Sequence, residues 1–383
     1  MRLCHKFHLN PSDNLLHLTS NPCDADAGKA VNGLALLEDS REGGPIAHLW
    51  GLLMRILSLG LLLAGAMTVA AHAETVKPAI VYDLGGKFDK SFNEGVFRGA
   101  EQFQKSSGVE FRDFEIQNDA QREQALRRFA KDGFSPILAV GFSQASAVEK
   151  VAKEFPKTKF TIIDMVVDAP NVQSVVFKEQ EGSFLVGLLA AKASKSGKVG
   201  FVGGMDIPLI RRFACGYVQG AKFANPKAEV LQNMTGTTGA AWNDPVKGAE
   251  LTKSQIDRGV DVVYHAAGGT GVGVLRAAAD AGKLGIGVDS NQNGMHPGKV
   301  LTSMLKRVDN ATIASFQAAK DGTWKAGISV LGLKENGVGW ALDDNNKALI
   351  TADMKSAVDA AAADISSGKI VVHDYMSDSK CPE

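Results

Sequence analysis

From Lys77 onward the chain repeats one unit, a short β-rich run followed by a longer amphipathic stretch, in two successive sets of five. The first runs are Ala79 to Tyr82, Val109 to Ile116, Pro136 to Val140, Lys159 to Ile163 and Val172 to Phe177. The second are Lys198 to Val202, Glu229 to Gln232, Asp261 to His265, Gly285 to Val288 and Lys299 to Met304. Between them apolar residues return at helical spacing, as Phe92, Val96, Ala100 and Phe103 do on one face. Strand and helix in alternation build a parallel sheet with helices on both sides. The doubling predicts two similarly built α/β lobes rather than one large sheet, with a cleft between them. Glu179 to Lys195, at the joint between the sets, is a helix whose apolar centre predicts burial on more than one side. Further helices are expected near Arg211, Pro245, Thr270 and Asp309, and from Thr351 to Ser366. The stretch Ala326 to Trp340 is apolar and glycine-spaced, and a last strand is expected at Ile370 to His373.

The front of the chain does not share this pattern. Met54-Arg55, an apolar run ILSLGLLLAGAMTVA and Ala71-His72-Ala73 have the order of a secretory signal peptide cleaved after Ala73. Translation is therefore expected to start at Met54, with residues 1–53 a mis-assigned upstream extension and 54–73 the signal. The expected lobes are residues 74–177 with about 305–325, and residues 178–304 with about 326–383. No cysteine lies near the cleavage point, so no lipid anchor is expected, and the mature protein keeps Cys215 and Cys381. An oxidising compartment allows the two to pair, while a buried free Cys215 satisfies the sequence equally. Over 383 residues, 42 basic and 42 acidic side chains balance, which argues against a nucleic-acid or anionic-membrane partner.

Within the first unit, AIVYDLGGKFDKSFN joins a strand, a glycine loop and a helix start in fifteen positions. Ser91-Phe92-Asn93-Glu94 has the form of a capping box, so a helix is expected from Ser91. In an open α/β sheet the carboxyl ends of strands and the following helix N-termini face the ligand crevice, which directs Asp83, Phe92 and Asn93 into it. Asp164, Gly268-Gly269 and Asp289 stand at other strand ends. The glycines of AAGGTGVGVLRAA (Gly268, Gly269, Gly271, Gly273) lack both a G-x-G-x-x-G register and a P-loop lysine, so they predict close approach of backbone to an uncharged ligand. The eight histidines show no paired spacing, no C-x-x-C occurs and no G-x-S-x-G is present. Neither an enzyme nor a metal or cofactor site is expected.

The blocks V-Y-D-L-G-G-K-F-D-K-S-F-N, I-I-D at 162 to 164, D-V-V-Y-H-A-A-G-G-T-G-V-G-V, G-I-G-V-D-S-N-Q and L-T-S-M-L-K-R-V-D resemble the basic membrane protein family, nucleoside-binding proteins of ABC importers. The resemblance runs from about Ile80 to Asp309. It implies a type I periplasmic-binding-protein fold, two lobes joined by three crossovers, and a periplasmic monomer that hands a nucleoside to an inner-membrane ABC permease. It also implies site roles: Phe92 and Trp242 sandwich the base, Asp164 bonds its edge, and Asp83, Gly268 or Gly269, Asp289 and Lys306 hold the ribose. The chemistry suits these roles, because vicinal hydroxyls match carboxylate acceptors and a purine offers flat apolar faces with a polar edge. Lys306 is expected to keep Asp289 ionised. Trp242 as an exposed aromatic at the Asn243-Asp244-Pro245 helix start is the competing assignment. At the level of function the alternatives are a sugar or other small polar ligand in the same cleft, or a sensor that delivers its ligand to a membrane receptor.

Overall fold

Each of the ten expected runs forms a strand, trimmed or extended by a few residues, and two further strands join them. The computed structural model describes residues 76 to 382, so the expected upstream extension, signal peptide and cleavage point lie outside the described residues. The first sheet contains β1 (Ala79–Tyr82), β2 (Arg112–Glu115), β3 (Ile137–Ala139), β4 (Phe160–Ile163), β5 (Val172–Phe177) and β11 (Gly327–Leu331). Its order is β11-β5-β4-β3-β1-β2, and every pairing is parallel. The second contains β6 (Lys198–Met205), β7 (Glu229–Gly236), β8 (Val262–Ala266), β9 (Leu284–Asp289), β10 (Val300–Lys306) and β12 (Val338–Trp340), in the order β12-β10-β9-β8-β6-β7. Only β12 runs antiparallel.

The helices follow the strands. Helices α1 (Phe92–Ser107), α2 (Ala120–Lys131) and α3 (Ala145–Glu154) belong with the first sheet. Helix α4 (Glu179–Ala193) carries the chain to the second, where α5 (Pro208–Ala224), α6 (Pro245–Asp257) and α7 (Gly271–Asp280) follow. Helix α8 (Val308–Lys320) leads back to β11, after which the chain returns to β12, α9 (Ala352–Ser366) and the short α10 (Tyr375–Asp378). The chain thus passes between the sheets three times. The last passage falls after Leu331, not near residue 326 as the sequence suggested, because Gly327–Leu331 pairs with β5. The unbroken apolar centre of α4 has its reason here. Residues Gly182 to Ala191 are all buried, between α5 and α9 on the outside and β10 and β12 on the inside.

One expected strand is absent. The place beside β10 is taken by β12, so Ile370 to His373 runs over α5 without sheet pairing. Gln219 satisfies its backbone, accepting from His373 N at 2.8 Å and donating to His373 O at 3.0 Å. Cys215 and Cys381 are joined in a disulfide that ties the end of the chain to α5.

Candidate functional site

Parallel strands with one order in both sheets bring their carboxyl ends together, and a cavity forms where they meet. Asp83 follows β1, Asp164 follows β4, Gly268 follows β8, and Asp289 and Lys306 end β9 and β10; all five line it. Because the two strand orders match, β4 and β9 correspond, and so do Asp164 and Asp289. Both have left-handed backbones, φ 73° and 61°. This region is costly for residues other than glycine and is held only where surrounding structure over-determines it. Phe92 and Asn93 enter the cavity from the start of α1, and Trp242 from a single 3-10 turn, Gly239–Trp242, of the second lobe.

The start of α1 is not built as expected. Ser91 is the N-cap residue, but its side chain makes no cap bond. Asp89 does this work instead, accepting from the backbone N–H of Ser91 at 2.8 Å, Asn93 at 3.0 Å and Glu94 at 3.1 Å. With its own helix satisfied, Ser91 Oγ donates across the cleft to Asp289 Oδ2 at 2.5 Å. Asn93 is fixed by its amide N–H groups, which reach the carbonyls of Asp83 and Gly86 at 3.2 and 3.0 Å. Its Oδ1 is buried without a partner, an acceptor on a side chain that lines the cavity.

Lys306 does not pair with Asp289. Its ammonium lies 2.7 Å from the Asp164 carboxylate and 2.9 Å from Glu179, under the rings of Phe92, Phe177 and Phe213 at 5.1, 5.1 and 5.5 Å. Glu179, at the start of α4, is the nearer competitor that the sequence could not reveal. Burial would pull the ammonium down, and Asp164, Glu179 and Asp289 more than reverse that, so it titrates above the ordinary lysine range. Burial pushes the carboxyls of Asp289 and Asp89 up to about 6, against the Lys306 charge for the first and backbone bonds for the second. Asp164 is moved in the same direction by burial, with Lys306 opposing. Asp83 is already engaged by Arg122 at 3.0 Å, by the Ser143 hydroxyl and by the Leu84 N–H at 2.8 Å. A carboxylate has about four acceptor sites, so Asp83 keeps roughly one and Asp289, with its single Ser91 bond, roughly three.

Trp242 is half-buried with the six-membered ring of its indole against Gly204, where an added Cβ would lie 2.2 Å from Cζ3. The start of α6 is capped by Asp244, which accepts from Lys247 N at 2.9 Å, so Trp242 is not needed there. Of the four glycines only Gly268, at φ 53°, lines the cavity. Gly269 sits beside the Trp242 carbonyl oxygen and the Asn243 side chain instead. Gly271 and Gly273 serve packing, since a Cβ would fall 1.9 Å from the His265 ring and 1.8 Å from the Pro245 carbonyl oxygen. That ring is fully buried and bonded to Gln292 Oε1 at 2.9 Å, and burial pushes its pKa down to about 4. Sequence reasoning missed Asp89, Phe142 and Phe213 in the lining. Phe142 stands just beyond β3, where the strand-end rule applied elsewhere would have found it.

A substrate-binding family model described as ABC transporter substrate-binding protein PnrA-like (Bmp) matches residues 77–374, nearly the whole described region. The chain belongs to the Bmp family. It is 33% identical over 320 residues to the ABC transporter nucleoside-binding protein BmpA of Lactococcus lactis, covering 78% of this chain and 89% of that one. An uncharacterized lipoprotein of Pyrococcus abyssi is 35% identical, with 79% and 78% covered. The crystal structure of an ABC transporter solute-binding protein from Aeropyrum pernix superposes with a TM-score of 0.72 at 29% identity, covering 78% of this chain and 94% of that one. The Bmp chain is accordingly a substrate-binding protein of an ABC transporter, with a small molecule as ligand and a permease as partner, and not an enzyme. Among its described residues no helix is long and apolar enough to cross a membrane.

Proposed function

We propose that this protein is a periplasmic monomer that closes its two lobes around a nucleoside and presents it to the permease. The observation that carries this is the pairing of Phe92 from one lobe with Trp242 from the other in a single cavity that also holds Asp164, Asp289 and the free Asn93 Oδ1. Rings from opposite sides suit the two faces of a base, and acceptors at the edge suit its N–H groups and the ribose hydroxyls. Asp289 is the main ribose acceptor, Asp83 and Gly268 adjoin it, and Asp164, held by Lys306, faces the base. The name of the Lactococcus relative supports the ligand class.

Trp242 is also the reporter. Guanosine, adenosine, uridine, guanine and ribose are titrated against the protein by calorimetry and tryptophan emission. Nucleosides should bind and change the emission, Trp242→Phe should abolish most of that change, and ribose should do neither. Base stacking is worth roughly 1 to 3 kcal/mol per ring, so Trp242→Ala should weaken binding about 5- to 150-fold. Ribose binding as tightly as guanosine, or an unaltered Kd in Trp242→Ala, would overturn the nucleoside assignment. The sequence reading expects a freely diffusing form, whereas the Pyrococcus relative bears the name lipoprotein, which makes a lipid-anchored form the alternative. Fractionation decides: recovery with membranes after a salt wash would replace the free form by an anchored one.

A further inference from the structure

A line of charges begins at the cleft and leaves it. Lys306, shared between Asp164 and Glu179, is followed by Arg212, which donates to the second Glu179 oxygen at 2.9 Å and to Phe177 O at 3.0 Å. The far side of the same guanidinium makes two parallel bonds, 2.7 and 2.8 Å, to the carboxylate of Asp374. Exposure rises outward, from 2% and 1% for the Lys306 and Glu179 side chains to 33% for Asp374. The five residues sit on separate parts of the fold. Asp164 follows β4 of the first sheet, Glu179 opens the first crossing helix, Lys306 ends β10 just before the second, Arg212 is on α5, and Asp374 caps α10 near the chain's end.

The outer end of the line is held deliberately. Arg212, Cys215 and Gln219 recur at helical spacing on one face of α5, and each takes a piece of the C-terminal segment: Asp374, Cys381 and His373. We propose that the C-terminal segment, through Asp374 and Arg212, sets the charge state of Asp164 in the cleft, with Arg212 and Glu179 as positioning residues. The reason is that one ammonium serves two carboxylates. The more completely Arg212 neutralises Glu179, the more Lys306 is left to Asp164, and Asp374 competes for Arg212. The groups acting on Asp164 are Lys306 from β10, Glu179 from α4 and Asp289 from β9. The inference rests on the cleft being the ligand site, but it is measured without any ligand, so it can fail while the nucleoside assignment stands, and the reverse.

The experiment is a pH titration of the Asp164 carboxyl by carbon-13 NMR in the full ligand-free protein, assigned with Asp164→Asn. Asp374→Asn removes a negative charge and frees Arg212 for Glu179, so the Asp164 midpoint should fall. Arg212→Gln removes the positive charge and returns Lys306 to Glu179, so the midpoint should rise; by Coulomb's law at an effective dielectric of about 20 each shift should be roughly half a pH unit or more. Simple loosening of the structure would instead move both variants down toward an ordinary aspartate. Glu179→Gln, nearly isosteric, provides a second arm if Arg212→Gln does not fold. It should lower the midpoint by itself and reduce the effect of adding Asp374→Asn to the smaller, direct part. Unchanged midpoints, downward shifts in both charge variants, or an Asp374→Asn shift of the same size in the Glu179→Gln background would overturn the proposal.

Discussion

Asp289 shows how much one side chain can be asked to do in a buried site. Its left-handed backbone aims the carboxylate at the cleft, Ser91 takes one acceptor position, and no cation touches it. Asp289→Ala should therefore weaken a nucleoside far more than the free base, by roughly 10- to 150-fold, since losing a hydrogen bond to a charged group costs about 1.5 to 3 kcal/mol. Equal losses for guanosine and guanine in calorimetry would remove the ribose role. The same residue predicts a pH dependence. In the ligand-free protein burial places its pKa near about 6, and hydroxyl donors from a ligand favour the ionised form and lower it. Affinity is then fully present above about 6 and is lost as pH falls through that value. In a Kd series from pH 8 to 5, Asp289→Asn should be flatter than the parent; identical acid limbs in the two proteins would contradict this assignment.

At the scale of elements, strands were legible where four or more β-rich apolar residues lay between breakers, and the site's aspartates were legible because parallel topology puts strand ends in one place. The rest depended on contacts between distant segments. β11 has a strand's composition, but it lies inside an apolar, glycine-spaced stretch with Ile328 and Val330 exposed at 61% and 47%, so no buried face marks it as part of a sheet, and β12 has only three residues. Ser91 and Asp89 both suit a helix start, and the choice between them is made by Asp289, which lies 198 residues from Ser91. Glu179, at the start of one crossing, claims Lys306, just before the next, a pairing that no local spacing encodes. The disulfide is the plainest case, with Cys215 and Cys381 at a sequence separation of 166. Closing so long a loop limits the unfolded chain, so the paired serine variant Cys215→Ser, Cys381→Ser should lose about 2 to 4 kcal/mol of unfolding free energy. Urea denaturation with and without dithiothreitol checks this, and a parent protein indifferent to the reductant would refute it.

Over the whole molecule, the described arrangement is a closed one, latched on one side of the cleft. Besides Ser91 to Asp289, Ser290 Oγ donates to Ser91 O at 2.6 Å, Arg98 donates to Ser290 Oγ at 2.9 Å, and Gln292 Nε2 donates to Lys90 O at 3.0 Å. Each bond joins the first two turns of α1, or the residues just before them, in one lobe to the end of β9 or the segment after it in the other. Closure in a two-lobed binder is an equilibrium, and affinity scales with the population that can hold ligand. Ser290 is buried in the latch but does not line the cavity, so it separates closure from ligand contact. Ser290→Ala removes two cross-lobe bonds at a net cost of about 0.5 to 1.5 kcal/mol each, which should shift the lobes toward open and weaken nucleoside binding by at most roughly 5- to 150-fold, the full factor applying only to the share of free protein that was open beforehand. Small-angle scattering should give the ligand-free variant a larger radius of gyration than the parent, and saturating guanosine should return it to the parent's closed value. A variant that binds as tightly as the parent with an unchanged radius would mean that these bonds follow closure without helping to drive it.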